Sequence, residues 1–295
     1  MEKTALIYDI QRFSQNDGSG IRTLVFFKGC PLNCAWCSNP ESQDRGIENI
    51  YWQKLCIGCN RCTEVCPSGL NPKLVNDSAC THCGNCVQIC PTQAIDRVGT
   101  WKTISEVMRI IQRDQVFYRH SNGGVTLSGG EVLQQWAFAA ELAETCYAML
   151  IDVVVETTGF AKWEQAWEVF KHCSCILYDI KFMDSKLHKQ YTGIDNRLIH
   201  ENAERIAQTG KPVIYRIPLL GGLNDDDENI RRTAEFAKKN GVNEIDLLPY
   251  HELGKLKYAG LGRKFSNCAY KPDMSHIRHL CRLIEKSGLK AKIEG

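Results

Sequence analysis

After residue 100, apolar positions along the chain fall into two alternating patterns. Short apolar runs read as buried strands: Gly123 to Ser128 (GGVTLS), Ile151 to Glu156 (IDVVVE), Ile176 to Ile180 (ILYDI), Val213 to Ile217 (VIYRI) and Glu244 to Leu248 (EIDLL). Between them, apolar residues recur at helical spacing. Trp163, Ala166, Trp167 and Phe170 form one stripe, Ile230, Ala234 and Ala237 a second, and Met274, Ile277, Cys281 and Ile284 a third. Ile104, Val107, Met108 and Ile111 form another, opened by a capping-box pattern at Thr103 and Glu106. Ahead of all these, Ile21 to Phe27 (IRTLVFF) is a further strand. About six strands with helices between them predict an α/β fold, a partial parallel (β/α)6 barrel. A doubly wound open sheet is the alternative that periodicity leaves standing.

Residues 45–100 break the alternation. They hold eight cysteines, with Pro67, Gly69, Pro72, Gly84 and Pro91 among them, and no helix or strand pattern long enough to build a core. A segment this short and loop-rich needs a staple, and metal clusters supply one. The expected division is therefore a barrel over 1–44 and 101–295, interrupted by an insert over 45–100.

Composition narrows the function. The 295 residues are 43% hydrophobic, enough for a sizeable core, and the net charge is only +2 with no basic arm or stripe, so nothing supports nucleic-acid binding. No apolar run has the length of a membrane span, and no apolar segment follows Met1-Glu2-Lys3-Thr4 as a signal peptide would require. With 16 cysteines and no secretion signal, the chain reads as a cytoplasmic metal protein of a reducing compartment and not as a disulfide scaffold.

Three cysteine motifs carry the chemistry. Cys30, Cys34 and Cys37 (CPLNCAWC) follow directly on the first strand, at the end where barrels of this kind build active sites. Three thiolates bind three irons of a four-iron cluster and leave the fourth iron open for chemistry. The bland alternative is a zinc knuckle short of a ligand. Other strands end on polar residues that converge on the same face: Gly129, Gly130 and Glu131 after Ser128, then Glu156, then Asp179-Ile180-Lys181, then Arg216, then His251 after Pro249-Tyr250. Any one of these alone is compatible with a surface loop.

The second and third motifs are Cys56, Cys59, Cys62 and Cys66, followed by Pro67, and Cys80, Cys83, Cys86 and Cys90, followed by Pro91. This is the two-cluster ferredoxin run, in which the fourth cysteine of each run serves the other cluster. One cluster is therefore expected on Cys56, Cys59, Cys62 and Cys90, and the other on Cys66, Cys80, Cys83 and Cys86. With no open iron, these clusters suit electron transfer. Cys146, Cys173, Cys175, Cys268 and Cys281 have no such spacing and read as small hydrophobes.

Taken together the motifs resemble the radical S-adenosylmethionine (SAM) activating enzymes of glycyl radical enzymes, the family of the pyruvate formate-lyase activating enzyme. The resemblance rests on Asp17-Gly18-Ser19-Gly20-Ile21-Arg22-Thr23, Gly29-Cys30-Pro31, Asn39-Pro40-Glu41-Ser42, the stretch Gly123 to Glu131, Asp179-Ile180-Lys181, and Pro249-Tyr250-His251 with Gly254 and Lys257. The insert resembles that of the longer members. The resemblance implies a radical SAM barrel and three four-iron clusters, with SAM chelating the open iron. The Gly129–Glu131 loop would hold the methionine amino group. Asp179, Ile180 and Lys181 would contact the cofactor, with Asp179 and Lys181 facing its carboxylate or ribose. Trp36, Cys37, Ser38 and His251 would lie by the adenosine, and Arg216 near the methionine end. Asp17 would seat the partner's glycine loop. The chain departs from the pattern at Ser19, where members carry proline, and at Glu156, where many carry aspartate beside a monovalent cation.

The implied reaction is one-electron cleavage of SAM to a 5′-deoxyadenosyl radical, which takes hydrogen from a backbone glycine of a glycyl radical enzyme. A flavodoxin or ferredoxin would donate the electron to a monomeric activase. Two rivals stand beside this reading. One is a peptide-modifying enzyme like the anaerobic sulfatase maturases, which place auxiliary cysteines after the barrel. The other is an iron–sulfur electron carrier, which leaves the open cluster unexplained.

Overall fold

The computed structural model describes residues 2–74 and 78–294. Strands β1 (Thr4–Ser14) and β2 (Arg22–Phe27) form a hairpin. The insert contains β3 (Glu48–Tyr51), α1 (Arg61–Glu64), α2 (Asn85–Ile89) and β4 (Ile95–Val98). The chain then runs β5 (Thr100–Thr103), α3 (Ile104–Ile111), α4 (Gln115–Ser121), β6 (Gly124–Gly129), α5 (Trp136–Ala148), β7 (Asp152–Thr157), α6 (Trp163–Phe170) and β8 (Cys175–Asp179). It continues α7 (Ser185–Thr192), α8 (Arg197–Ala207), β9 (Val213–Leu219), α9 (Asp227–Lys239), β10 (Glu244–Pro249), α10 (Lys255–Gly260), α11 (Met274–Lys286) and β11 (Lys290–Ile293).

One sheet takes nine strands in the order β11-β10-β9-β8-β7-β6-β2-β1-β5. From β2 through β6 to β11 all pairings are parallel. The six strands expected from the sequence are therefore present, with β11 as a seventh parallel strand. β1 and β5 are antiparallel additions at the other edge. The sheet curls: Gln11 of β1, Leu24 of β2 and Glu294 just after β11 all line one cavity, although they come from opposite ends of the strand order. The edges are not paired with each other, so the barrel is incomplete and open on one side.

Alternation along each strand sorts the side chains between two faces. Val125, Leu127, Val153, Val155, Ile176, Tyr178, Tyr215, Ile217, Ile245 and Leu247 pack outward into the main core with the helices. Their neighbours Ser128, Glu156, Asp179, Arg216 and Leu248 point into the barrel. A doubly wound sheet would need helices on that inner face, and the polar lining leaves no place for them.

The helix stripes read from the sequence are helices. α3 begins with the full capping box, Thr103 accepting from the Glu106 backbone and the Glu106 carboxylate accepting from the Thr103 backbone. The insert is closed by β3 pairing antiparallel with β4, from Glu48 opposite Val98 to Tyr51 opposite Ile95.

Candidate active site

β2 delivers the chain to the Cys30–Cys37 loop, which is fixed on several sides. Gly29 and Cys30 donate backbone hydrogen bonds to Ser42 and Gln43 (2.7 and 3.1 Å), and Asn33 and Ala35 donate to Thr192 and Tyr191 at the end of α7 (2.7 and 3.0 Å). Trp36 packs edge-on against Phe182. Two glycines let other loops close in. A Cβ on Gly130 would stand 2.6 Å from the Gly29 carbonyl, and one on Gly254 would stand 2.8 Å from the Cys37 carbonyl.

Beneath the insert lies a charged clamp. Lys28 is buried and donates to the Glu41 carbonyl (2.6 Å) and to Glu48 (2.8 Å). Arg263 meets the other Glu48 oxygen (2.5 Å) and the Pro40 carbonyl. Lys257 of α10 reaches Asn39 and Glu41 (2.8 and 2.6 Å). The first strand of the insert, the cysteine loop and α10 are thereby one unit.

A cavity of about 550 Å³ opens inside the cluster end of the barrel. Cys30, Cys34 and Cys37 line it, with no fourth cysteine beside them. Burial pushes all three thiols up, Cys34 to about 12 against the pull of Lys181. Such thiols stay neutral unless a metal takes the proton's place. Among the described residues no three donors converge on a single metal ion. A four-iron cube fits this arrangement, because each thiolate then binds its own iron.

A group of charged residues shares the lining with apolar ones such as Leu24, Phe26 and Leu220. Asp179 accepts from Lys181 at 2.7 Å, while its buried Oδ1 has no hydrogen-bond partner. Burial alone would lower Lys181, but Asp179 and Cys34 outweigh it and hold the ammonium above its ordinary value. Glu156 accepts from Arg216 (2.8 Å) and from Ser128 (2.5 Å). Arg216 also faces Asp17 (4.0 Å) and Glu294 (3.8 Å), and its Nε is buried without a partner. Trp36, Ser38, Gly129, Gly130 and His251 complete the wall.

In the insert, each helix starts on a left-handed residue, Asn60 before α1 and Gly84 before α2. Cys62 and Cys86 pack together at the centre. One hollow is lined by Cys56, Cys59, Cys62 and Cys90, and a second by Cys66, Cys80, Cys83 and Cys86. Each hollow thus collects three cysteines of one run and the last of the other. Backbone N–H groups of Gly58 and Ala94 donate to the sulfurs of Cys56 and Cys90.

Comparison with known proteins agrees with this geometry. A profile of the radical SAM superfamily matches residues 76–237, a 4Fe-4S dicluster domain matches 48–91, and a 4Fe-4S single cluster domain matches 16–67. The chain is 42% identical over 277 residues to the choline trimethylamine-lyase activating enzyme of Oleidesulfovibrio alaskensis, covering 90% of this chain and 89% of that one. It is 39% identical to the trans-4-hydroxy-L-proline dehydratase activating enzyme of Clostridioides difficile, covering 98% and 99%. The chain belongs to the activating enzymes of glycyl radical enzymes. A crystallised domain of a pyruvate-formate lyase-activating enzyme from Bacteroides vulgatus superposes with a TM-score of 0.51 at 33% identity, covering 59% of this chain and 99% of that domain. The Streptococcus suis protein SuiB, bound to its precursor peptide SuiA, shares the fold at a TM-score of 0.59 and 15% identity, covering 90% of this chain and 46% of SuiB.

Two expected SAM contacts in this activase are corrected. Glu131 is buried away from the cavity, and its two oxygens accept from Leu133 N, Thr157 Oγ1, Thr158 N and Thr158 Oγ1 (2.5–3.1 Å). Burial raises this carboxyl and the four bonds oppose the rise. The side chain therefore ties the Gly129–Gly130 turn to the end of β7, and only the glycines face the cavity. Ile180 lies at the outward parity of β8 and packs in the main core, so its side chain cannot meet a cofactor. Thr158, Lys257 and Glu294 also line the cavity and had no assigned role at the site. Lys257 was the one whose sequence context, a lysine six residues after His251, offered a signal.

Proposed function

We propose that this activase holds three four-iron clusters, one on Cys30, Cys34 and Cys37 and two in the insert with crossed ligation, and that it abstracts hydrogen from a backbone glycine of one partner lyase. The observation that carries the reading is the single cavity shared by the three open-site cysteines, the charged strand ends and Asp17. When bound, a reduced four-iron cluster with SAM on its open iron supplies a carbon radical strong enough to take a glycine Cα hydrogen.

The chain's own residues bind, orient and exclude water. Gly129 and Gly130 offer backbone acceptors to the methionine ammonium. Lys181, held protonated by Asp179, faces the methionine carboxylate, and the free Asp179 Oδ1 accepts from a ribose hydroxyl. Trp36, Ser38 and His251 enclose the adenosine. Arg216 neutralises Glu156, and the remaining lone pairs of the Glu156 oxygens could take the monovalent cation that many members carry beside the cofactor. Asp17, fixed by Ser14 at 2.7 Å, seats the partner's glycine loop at the lateral opening, where Gln11 and Asn16 also line the cavity. The insert relays electrons from a flavodoxin or ferredoxin, and the activase works as a monomer in the cytoplasm. No helix among the described residues is long and apolar enough to cross a membrane.

Cys34→Ala tests the assignment. The anaerobically reconstituted wild type should hold about 12 irons and the variant about 8, because the insert keeps its two clusters. The variant should make no 5′-deoxyadenosine. Cleavage at the wild-type rate would overturn the active-site assignment.

A further inference from the structure

The inner face of the barrel carries an alternating row of charge. Asp179, Arg216, Asp246 and Lys292 are register partners on β8, β9, β10 and β11, so they stand side by side at strand spacing, about 4.8 Å apart. The row does not close on itself. Arg216 turns to Glu156 at 2.8 Å, and Lys292 pairs with Glu244. Asp246, between the two cations, pairs with neither. It is 1% exposed, and its buried Oδ1 has no hydrogen-bond partner. Arg216 and Lys292 on the flanking strands offset the burial of this carboxylate only in part, and a buried oxygen with no partner is costly.

Asp246 faces a second cavity of about 270 Å³, at the opposite end of the barrel from the cysteine loop. Glu244 and Glu294 also wall it, and among the described residues Lys292 is the one cation in the wall. Glu294 lines the active-site cavity as well, and Gly18 of the second cavity directly follows Asp17 of the first. The two spaces therefore adjoin at the Asp17 loop. Metal is a poor occupant, since no three donors converge on one ion among the described residues. A polypeptide entering beside Asp17 can supply a cation on a flexible stem, and the space holds a guanidinium with several waters.

We infer that this second cavity is a subsite for one basic side chain, arginine or lysine, carried by the glycine-bearing segment of the partner lyase, with Asp246 as its counter-charge. The inference rests on the activase reading proposed above. The electrostatics agree: burial, then Glu294 and Glu244, push the Asp246 carboxyl up to about 6, and an incoming cation would relieve that strain.

The test uses the cluster-loaded full chain with SAM bound and a set of glycine-centred heptapeptides. Each peptide carries one arginine at a different position, and its control carries the neutral isostere citrulline there. Affinity is read by fluorescence anisotropy. At one position arginine should bind at least about tenfold tighter than citrulline, and in Asp246→Asn that preference should fall to about onefold. Equal affinities at every position in the wild type would overturn the subsite and leave the cavity filled only by water. So would a preference that survives in Asp246→Asn. If that variant fails to fold, a pH series on the wild type decides, because the arginine preference must fall as Asp246 is protonated below about pH 6. Glycine-radical formation on the partner lyase, measured in parallel, separates the two levels. A radical formed without any arginine preference sinks the subsite alone, and no radical at all sinks the activase reading.

Discussion

Replacing Glu48 with alanine removes the counter-charge at the centre of the clamp beneath the insert. Glu48 accepts from Lys28 at 2.8 Å and from Arg263 at 2.5 Å, and both Glu48 and Lys28 are buried. Arg263 is partly exposed and keeps the Pro40 carbonyl, so it rehydrates at a cost of about 1 kcal/mol or less. Lys28 cannot. Burial already lowers its pKa, and Glu48 is the chief opposing influence. Breaking a buried pair on one side costs about 3–5 kcal/mol. At about 2 °C per kcal/mol for a chain of this size, Glu48→Ala should melt about 6–10 °C below the wild type. Thermal unfolding of the loaded protein, followed anaerobically by circular dichroism, reads this directly. Because Lys28 precedes Gly29-Cys30, the KM for SAM should rise as well. Pairing Lys28→Met with Glu48→Leu should recover most of the lost stability, since apolar groups of similar volume replace a buried pair at little cost. A melting temperature within about 2 °C of the wild type for Glu48→Ala, or no recovery in the pair, would refute the reasoning.

Crossed ligation predicts that Cys66→Ser strips iron from the hollow of Cys80, Cys83 and Cys86 while the cluster nearest in sequence, on Cys56, Cys59 and Cys62, keeps its electron paramagnetic resonance signal; loss of the latter alone contradicts it. Asp246 gives a pH signature. Its folded pKa of about 6 lies above that of an ordinary aspartate, so the folded chain holds the proton more tightly than the unfolded chain. Acid therefore favours the fold at this site, and stability is lost as pH rises from about 4 through about 6. Asp246→Asn should be more stable than the wild type by about 1–2 kcal/mol at pH 8, allowing for hydration of the cavity, and the gap should narrow toward pH 5. A gap that does not change with pH contradicts this.

Six of the seven parallel strands, β2 and β6 to β10, were legible because each is a short apolar run buried on its outer face. The other three strands of the sheet, β1, β5 and β11, were not, for physical reasons. The second half of β1 is polar and largely exposed at Gln11, Arg12 and Phe13. β5 and β11 are four-residue edge strands with lysines in them, and only pairing with a neighbour makes them strands. The cysteine groupings follow from spacing alone, and the hollows of the insert collect the same four-cysteine sets. Glu131 was misread because motif position does not reveal where a carboxylate turns, and here Thr157 and Thr158 capture it. Ile180 was misread by treating Asp179-Ile180-Lys181 as a unit, when strand parity sends its middle residue to the opposite face. The same parity places Glu244 and Asp246 together as charges at inward positions of β10.

The most direct measurement is the fate of one hydrogen. The partner lyase, taken from the neighbouring gene and labelled with deuterium at the Cα of its glycines, is mixed anaerobically with the reduced, loaded enzyme and SAM. The account predicts a glycine radical on the lyase whose doublet, seen with ordinary glycine because one α-hydrogen remains, collapses to a narrow line in the deuterated protein, and deuterium in the 5′-deoxyadenosine formed. A glycine radical with no deuterium in 5′-deoxyadenosine, or 5′-deoxyadenosine formed with no radical on the lyase, would contradict it.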